Sequence, residues 1–254
     1  MQSIYKRFGF SSLLATPDAN PKLAKSLKLR VLTAPMHLAP ASLSGWNVCP
    51  MSTAGCRKAC LHTAGNPAYM KGKAKARLAR TTAYFEARAD FMSALVNEVS
   101  KHVKKARAMR YKAAVRLNAT SDIRWEVVPV TVDGKRYPNI MSAFPKVQFY
   151  DYTKIANRRN LPRNYHLTFS LAENNDKLAR VALNNGMNVA AVFNVIRGHA
   201  LPKGYAIDGL AVPVVDGDEH DYRPIDPKLS VIGLRAKGEA RGDTSGFVRK
   251  LTVA

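Results

Sequence analysis

The segment from Cys49 to His62 constrains this chain most, because its fourteen residues contain all three cysteines. Cys49, Cys56 and Cys60 follow a C-x6-C-x3-C spacing, and His62 stands two residues after the last of them. The segment lies in residues 37–66, a stretch with several prolines and glycines that predicts a long loop. Long loops in compact domains are uncommon unless a function or a bound group orders them. The spacing therefore predicts an inorganic centre held by the three thiolates.

A [4Fe-4S] cluster is the centre that we expect, because each thiolate can hold one iron. Such a cluster needs a fourth ligand or leaves one iron open. The candidates for that ligand are His62, His37, Asp122, Asp151 and an external molecule. Zinc held by the three cysteines and His62 is an alternative, although C-x6-C is wider than the usual zinc spacing. A set of small buried thiols without a metal is the third interpretation.

The sequence favours a reducing compartment. No apolar run approaches the roughly 18 residues that a membrane-spanning helix requires. We expect no secretory signal, because Met1 to Arg7 has no apolar stretch behind its basic positions. A disulfide between two of the three cysteines would leave one thiol over. In a reducing compartment, clustered cysteines bind metals more often than they pair.

The chain carries a formal net charge of +22, from 40 lysines and arginines against 18 acidic residues. Such an excess is self-repulsive unless a polyanion or salt offsets it, so nucleic acid is the first partner to consider and an acidic membrane surface the second. A helix predicted from Pro67 to about Arg110 has a basic face. Its early cations oppose the helix dipole, so we predict that they bind nucleic acid, with a merely solvated face as the alternative. These are Lys71, Lys73, Lys75, Arg77 and Arg80; the later cations, which suit the dipole, are Lys101, Lys104, Lys105 and Arg107.

After this helix, short apolar segments are separated by helical or loop connections, an order typical of a parallel sheet. The predicted strands are residues 27–35, 113–117, 147–150, 165–169, 189–193, 212–215 and 231–234. A helix is predicted at 176–183, with a C-terminal stop signal at Asn185-Gly186. This number of strands is near that of a full or incomplete TIM-like barrel. We therefore predict an irregular arm over residues 1–26 and one α/β, TIM-barrel-like domain over residues 27–254. An open doubly wound sheet is the alternative.

Polar side chains collect where these strands end, the edge at which parallel α/β folds place their sites. The candidates for a ligand pocket are Asn118, Ser121, Asp122, Asp151, Lys154 and Glu173. Trp125 would offer a stacking surface there, although helix capping and local pairing explain such residues without a ligand. We interpret a further acidic group, residues 216–221, as a turn whose acids pair with Arg223, Arg235 or Lys237 rather than as a cation site.

A three-cysteine loop after the first strand of a barrel resembles the layout of radical S-adenosylmethionine enzymes. The resemblance does not extend to motifs. Those enzymes use C-x3-C-x2-C and a glycine-rich end of the second strand, whereas this chain has C-x6-C-x3-C and Asn118 to Asp122. The layout implies an alternative function, namely an enzyme that uses S-adenosylmethionine at the barrel mouth.

Several motifs together resemble a group of tailed-phage proteins labelled gene product 88. They are CRKACLHTAG at 56–65, RLNATSD at 116–122, FYDYTK at 149–154, HLTFS at 166–170 with Glu173 and Asn174, and GDEHD at 217–221. The resemblance covers about residues 30–248. It implies a phage origin and a location in the host bacterial cytoplasm, and the label itself implies no activity.

These features together predict an iron–sulfur phage protein that binds or acts on nucleic acid through its basic surface. The alternatives are the enzyme that uses S-adenosylmethionine and a zinc-stabilised protein that binds a host protein. Salt-dependent binding of nucleic acid tests the first hypothesis, and cleavage of S-adenosylmethionine by the reduced protein tests the second. Metal analysis tests the third, which predicts zinc without iron or sulfide.

Overall fold

The computed structural model describes residues 3–16, 24–63 and 70–251. The chain divides into two compact units. Unit 1 comprises Met1–Pro50, Met70–Asp151 and Asn160–His166, and unit 2 comprises Met51–Tyr69, Tyr152–Arg159 and Leu167–Ala254. No helix in the described part of the chain is long and apolar enough to cross a membrane.

The described residues form helices and strands in the following chain order. In order they are α1 Ile4–Phe8, β1 Val31–Pro35, α2 Ala54–Lys58, α3 Lys71–Glu86, α4 Arg88–Ala108, β2 Lys112–Arg116, β3 Val130–Val132, β4 Lys135–Tyr137, α5 Ile140–Ala143, β5 Gln148–Thr153, β6 Tyr165–Ser170, α6 Asp176–Asn184, β7 Asn188–Phe193, β8 Gly204–Ile207, β9 Leu210–Asp216, β10 Val231–Arg235 and β11 Val248–Arg249. Turns of 3-10 helix lie at Ser26–Leu29, Leu61–Thr63, Trp125–Val127, Arg223–Ile225 and Gly238–Gly242.

Unit 1 is built on the parallel pair β1 and β2, with β5 parallel to β2 on its other side. All five residues of β1 are buried, as expected of a strand in a parallel sheet covered on both faces. Helix α4 packs through Phe91, Leu95 and Val99, which recur at helical spacing and are fully buried. The Nε2 atom of His102 lies 3.0 Å from the carbonyl oxygens of both Leu32 and Ala114. Helix α4 is therefore fixed across β1 and β2.

Unit 2 contains a parallel array in which β7 lies between β6 and β10, and β10 lies between β7 and β9. Strand β8 pairs antiparallel with β9, and β11 pairs parallel with the carboxyl end of β7. Helix α6 buries Ala179, Ala182 and Leu183 and is followed by Gly186 in the left-handed region at φ 81°. The predicted stop at Asn185-Gly186 is thereby confirmed.

The structure confirms the predicted mixed α/β fold with a mostly parallel sheet, and all seven predicted strands form. The strand order is β1-β2-β5-β6-β7-β10-β9-β8, and among the described residues no pairing joins β1 to β8. In addition, β8 is antiparallel, whereas a TIM barrel uses eight parallel strands. The predicted barrel is therefore not confirmed.

The helical predictions differ from the structure in three places. The single helix predicted from Pro67 to Arg110 is two helices, since Ala87 adopts φ −136° and ψ 52° between them; its predicted start at Pro67 lies outside the described residues. Arg88 Nε donates at 2.7 Å to the Tyr84 carbonyl, which a continuous helix would pair with the Arg88 amide. Helix α1 lies in the predicted irregular arm, and α2 lies in the predicted cysteine loop. Residues 1–2, 17–23 and 64–66 of these two segments are outside the described part of the chain.

Candidate functional site

Cys49 belongs to unit 1, in the segment that follows β1. Its sulfur accepts a hydrogen bond from the Ala41 backbone amide at 3.4 Å. The thiol donates to the Thr120 carbonyl oxygen at a distance of 3.8 Å. The side chain is partly exposed. Backbone groups on two segments therefore fix the position of this sulfur.

Cys56 and Cys60 belong to unit 2 and lie on α2 and just after it. The Thr53 hydroxyl caps the helix by accepting a hydrogen bond from the Cys56 amide at 3.1 Å. Both cysteine side chains are partly exposed. Cys56 also packs against a buried apolar cluster formed by Ala59, Ala172, Ala236, Ala240, Phe247 and Val248. Cys56 thus lies on a short helix that is anchored to the core of unit 2, and Cys60 follows the end of that helix.

Glu173 fixes the first turn of this helix. One carboxylate oxygen accepts from the Thr53 hydroxyl and the other from the Gly55 amide, both at 2.7 Å. Burial acts to raise the pKa of Glu173, but hydrogen bonds from Thr53 and from the amides of Glu173 and Gly55, with the charge of Lys154, outweigh it and lower the pKa. A Cβ at position 55 would lie 2.9 Å from the Glu173 carboxyl group, so the contact requires glycine there. Glu173, predicted as a pocket residue, therefore positions the cysteine helix.

The cysteines chemically suit an iron–sulfur or zinc centre. Among the described residues, however, no group of three or more histidine, cysteine and acidic side chains is gathered so as to hold a metal ion. His62 lies in the 3-10 turn after Cys60, and His37 lies in unit 1. The metal centre remains a prediction of the spacing.

The pocket candidates in unit 1 form a buried hydrogen-bonded network. Asn118 Oδ1 accepts from the Ser121 hydroxyl at 2.8 Å and from Trp125 Nε1 at 2.9 Å. The Asp151 carboxylate accepts hydrogen bonds from the Asn118 backbone amide at 2.7 Å and from the Tyr165 hydroxyl at 2.9 Å. Trp125 is completely buried, so it cannot serve as the stacking surface that we predicted. These contacts give Asn118, Ser121 and Asp151 a structural role, and the neighbouring Asp122 is also buried, at 8% exposure.

In unit 2, Lys154 donates to the Ser170 hydroxyl at 2.7 Å and to the Ser170 carbonyl oxygen at 3.1 Å. Lys154 also lies at the wall of an open cavity of about 400 Å³, whose other lining residues include Met51, Arg159, Leu178, Val181 and Asn185. The cavity is the nearest feature to the pocket that we predicted, but only Lys154 of the predicted residues lines it.

The acidic turn is paired as we interpreted it. Arg235 Nη1 lies 2.9 Å from a carboxylate oxygen of Asp216 and 3.3 Å from one of Asp218. Lys237 Nζ lies 2.8 Å from the other carboxylate oxygen of Asp218. Arg223, in contrast, pairs with Asp226 at 3.2 Å. Local bases thus neutralise the first two acids of this turn.

The predicted basic stripe on α3 divides between two faces of the helix. Lys71 and Lys75 are exposed, and Lys73 is partly exposed. Arg77 is only 9% exposed. Arg80 donates at 2.6 Å to the Ser12 carbonyl oxygen and lies 3.5 Å from the His37 carbonyl oxygen. Only the lysines therefore present charge to solvent in the manner that we predicted.

A larger exposed group of cations lies at the amino ends of β1, β2 and β5 and on the last turns of α4. We call it the amino-edge basic face; its members are Lys28, Arg30, Lys101, Lys104, Lys105, Arg107, Arg110, Lys112 and Lys146, all exposed. The α4 members were recognisable in the sequence, but we explained their position by the favourable helix dipole. The residues at the strand starts were missed, although residues 99–117 contain seven lysines and arginines and no acidic residue.

Comparison with known proteins assigns a family. A family model described as Gene product 88 matches residues 12–251, nearly the whole chain. No curated protein and no solved structure matches the chain. The family match confirms the resemblance drawn from the motifs, and nothing in these comparisons supports the resemblance to radical S-adenosylmethionine enzymes.

Proposed function

The chain belongs to the Gene product 88 family, and we propose that it binds the phosphate backbone of nucleic acid through the amino-edge basic face of unit 1. The observation that carries this proposal is the grouping of exposed cations at the starts of three adjacent strands. Such a surface suits sequence-independent binding, in which lysines and arginines neutralise phosphates and release counterions.

The strand register brings these cations together. The Lys112 amide donates to the Arg30 carbonyl oxygen at 2.8 Å, so the two residues are neighbours across β1 and β2. Ala114 pairs with Gln148, which places Lys146 beside Lys112 at the start of β5. Adjacent strands lie about 4.8 Å apart, so the three cations are grouped at neighbouring strand starts. Lys112 is in register with Lys146, and Arg30 stands one residue before Val31, the partner of Lys112.

Helix α4 extends this group of cations. Lys101, Lys104, Lys105 and Arg107 are exposed residues of its last turns, and Arg110 stands between the helix and β2. Within the described part of the chain, no ion pair engages any member of the face. A favourable helix dipole is worth about 0.3–1 kcal/mol per cation and acts only in the last turn. It does not account for Arg30, Lys112 or Lys146, which are outside the helix.

Binding to a labelled DNA duplex and to a single-stranded RNA, measured by fluorescence anisotropy at several salt concentrations, tests the proposal. We expect affinity to fall steeply between 50 and 200 mM salt, with a slope of about −0.9 per neutralised duplex phosphate in a double-logarithmic plot. For duplex DNA, Lys112→Gln/Lys146→Gln should reduce the magnitude of this slope by about 1.8. The matched control, Lys135→Gln/Arg136→Gln, removes the same charge from exposed positions on β4 and should leave the slope unchanged.

Equal effects of the two double variants would show that net charge, and not this face, determines binding. Absence of binding at 50 mM salt, or an affinity that does not change with salt, would contradict the proposal as a whole. A preference for the duplex or for the single strand identifies the form of nucleic acid that the face prefers.

We retain the [4Fe-4S] cluster as a second proposal, supported by the spacing of the three cysteines and by the anchoring of α2. Anaerobic purification followed by iron, sulfide and zinc assays and a visible spectrum tests it. Iron and sulfide in a brown protein, lost on Cys56→Ser, would support the cluster, and Ser52→Ala is the matched control. Zinc alone would favour the zinc-stabilised protein that binds a host protein, and absence of all three would leave only free thiols. S-adenosylmethionine cleavage by the reduced protein tests the enzyme hypothesis.

A further inference from the structure

A second group of cations surrounds His37 at the opposite, carboxyl ends of β1 and β2. His37 stands two residues after the end of β1, and Arg116 is the last residue of β2. The Met36 amide donates to the Arg116 carbonyl oxygen at 2.8 Å, which places His37 next to Arg116. The carboxyl ends of parallel strands are where open α/β folds bind ligands.

Helix α3 brings three more cations to this place. Lys73, Arg77 and Arg80 recur at intervals of four and three residues, so they share one face of the helix. The face is held against the segment after β1, because the Thr81 hydroxyl accepts from the Ala39 amide at 2.9 Å. The same hydroxyl donates to the Arg77 carbonyl oxygen at 2.9 Å, which fixes its orientation.

The charges that shift the pKa of His37 are all positive. Burial and the charges of Arg77, Arg116, Arg80 and Lys73 lower the pKa of His37 to about 3. The imidazole is therefore neutral at physiological pH and has one N–H to donate. Its Nδ1 atom is buried and has no hydrogen-bond partner among the described residues.

We propose that His37 and the cations around it, Lys73, Arg77, Arg80 and Arg116, bind a phosphate group. The guanidinium and ammonium groups supply charge-assisted donors, and a neutral His37 adds a donor without further repulsion. Like charges brought close together repel one another, and a bound anion reduces this repulsion. The site lies at the other edge of the β1–β2 pair from the amino-edge basic face, so it is independent of the proposed function.

Calorimetric titration of the full chain with inorganic pyrophosphate tests this site. We expect pyrophosphate to bind, and we expect Lys73→Gln to weaken its affinity about tenfold. This factor corresponds to the loss of about one hydrogen bond to a charged group. The matched control is Lys75→Gln, which removes the same charge from the exposed side of α3. It should change the affinity less than about twofold, since screening by salt reduces the effect of a distant exposed charge.

His37→Asn keeps the charge of the protein and should also weaken pyrophosphate binding, whereas Lys112→Gln/Lys146→Gln should not. An oligonucleotide carrying a 5′-phosphate, compared with the same sequence carrying a 5′-hydroxyl, identifies the source of the phosphate. A gain from the 5′-phosphate indicates a nucleic-acid end, and binding of pyrophosphate alone indicates a free phosphate ligand. No binding of either probe at millimolar concentration, or equal effects of Lys73→Gln and Lys75→Gln, would overturn the proposal.

Discussion

Glu173 shows how a single residue acquires a role that its type does not reveal. A carboxylate at the end of a predicted strand suggests a ligand site, and the sequence pattern supports that interpretation. The structure instead directs its two oxygens to the Thr53 hydroxyl and the Gly55 amide. Glu173 thus fixes the turn that carries Cys56.

We predict that Glu173→Gln destabilises the protein by about 1–2 kcal/mol at pH 7, because hydrogen bonds to a charged group are lost. The lowered pKa of Glu173 means that this stabilisation is present above the ordinary pKa of glutamate and is lost as pH falls through the pKa in the folded state. The difference between wild type and variant in urea unfolding should therefore narrow at pH 3.

Glu239→Gln is the matched control, since Glu239 is exposed and also belongs to unit 2. It should leave the free energy of unfolding within about 0.5 kcal/mol of wild type. A difference for Glu173→Gln that stays constant from pH 7 to pH 3 would show that its ionised form contributes no stability.

The secondary-structure elements were largely predictable, because each depends on a local pattern. Apolar runs bounded by polar clusters identified the seven strands, and Asn185-Gly186 identified the end of α6. The break between α3 and α4 was missed, since residues 71–108 keep helical spacing and contain no proline. At the break, the Arg88 guanidinium lies 3.6 Å from the Tyr84 ring centre, and Arg88 Nε donates a hydrogen bond to the Tyr84 carbonyl oxygen.

Helix α3 also shows why a basic stripe in sequence is not one surface. Lys71 and Lys75 face solvent, whereas Arg77 and Arg80 reach the segment around His37. Residues two positions apart on a helix point in different directions, and residues three or four apart share a face. The helical period therefore divides five similar residues between a solvated face and a proposed phosphate site.

For the molecule as a whole, the charge of +22 is the dominant property. Self-repulsion of this size opposes the compact state unless ions screen it. We predict that raising potassium chloride from 20 to 300 mM increases the melting temperature, by about 2–4 °C for each kcal/mol of repulsion relieved. Differential scanning fluorimetry measures this, and Lys112→Gln/Lys146→Gln should show a smaller rise. A melting temperature that falls with salt would mean that attractive ion pairs outweigh the repulsion.

The sequence alone established the α/β class, the strands, the excess of positive charge and the family, because each follows from local pattern, composition or motif. Tertiary structure alone decided which cations share a surface, which polar residues are internal partners and what Glu173 contacts. These depend on strand register and helix packing, which join residues far apart in sequence, as Arg30 and Lys112 or Thr53 and Glu173 show. Hydrogen-bond partners across such distances leave no periodic signal in a single sequence, so only the folded chain reveals them.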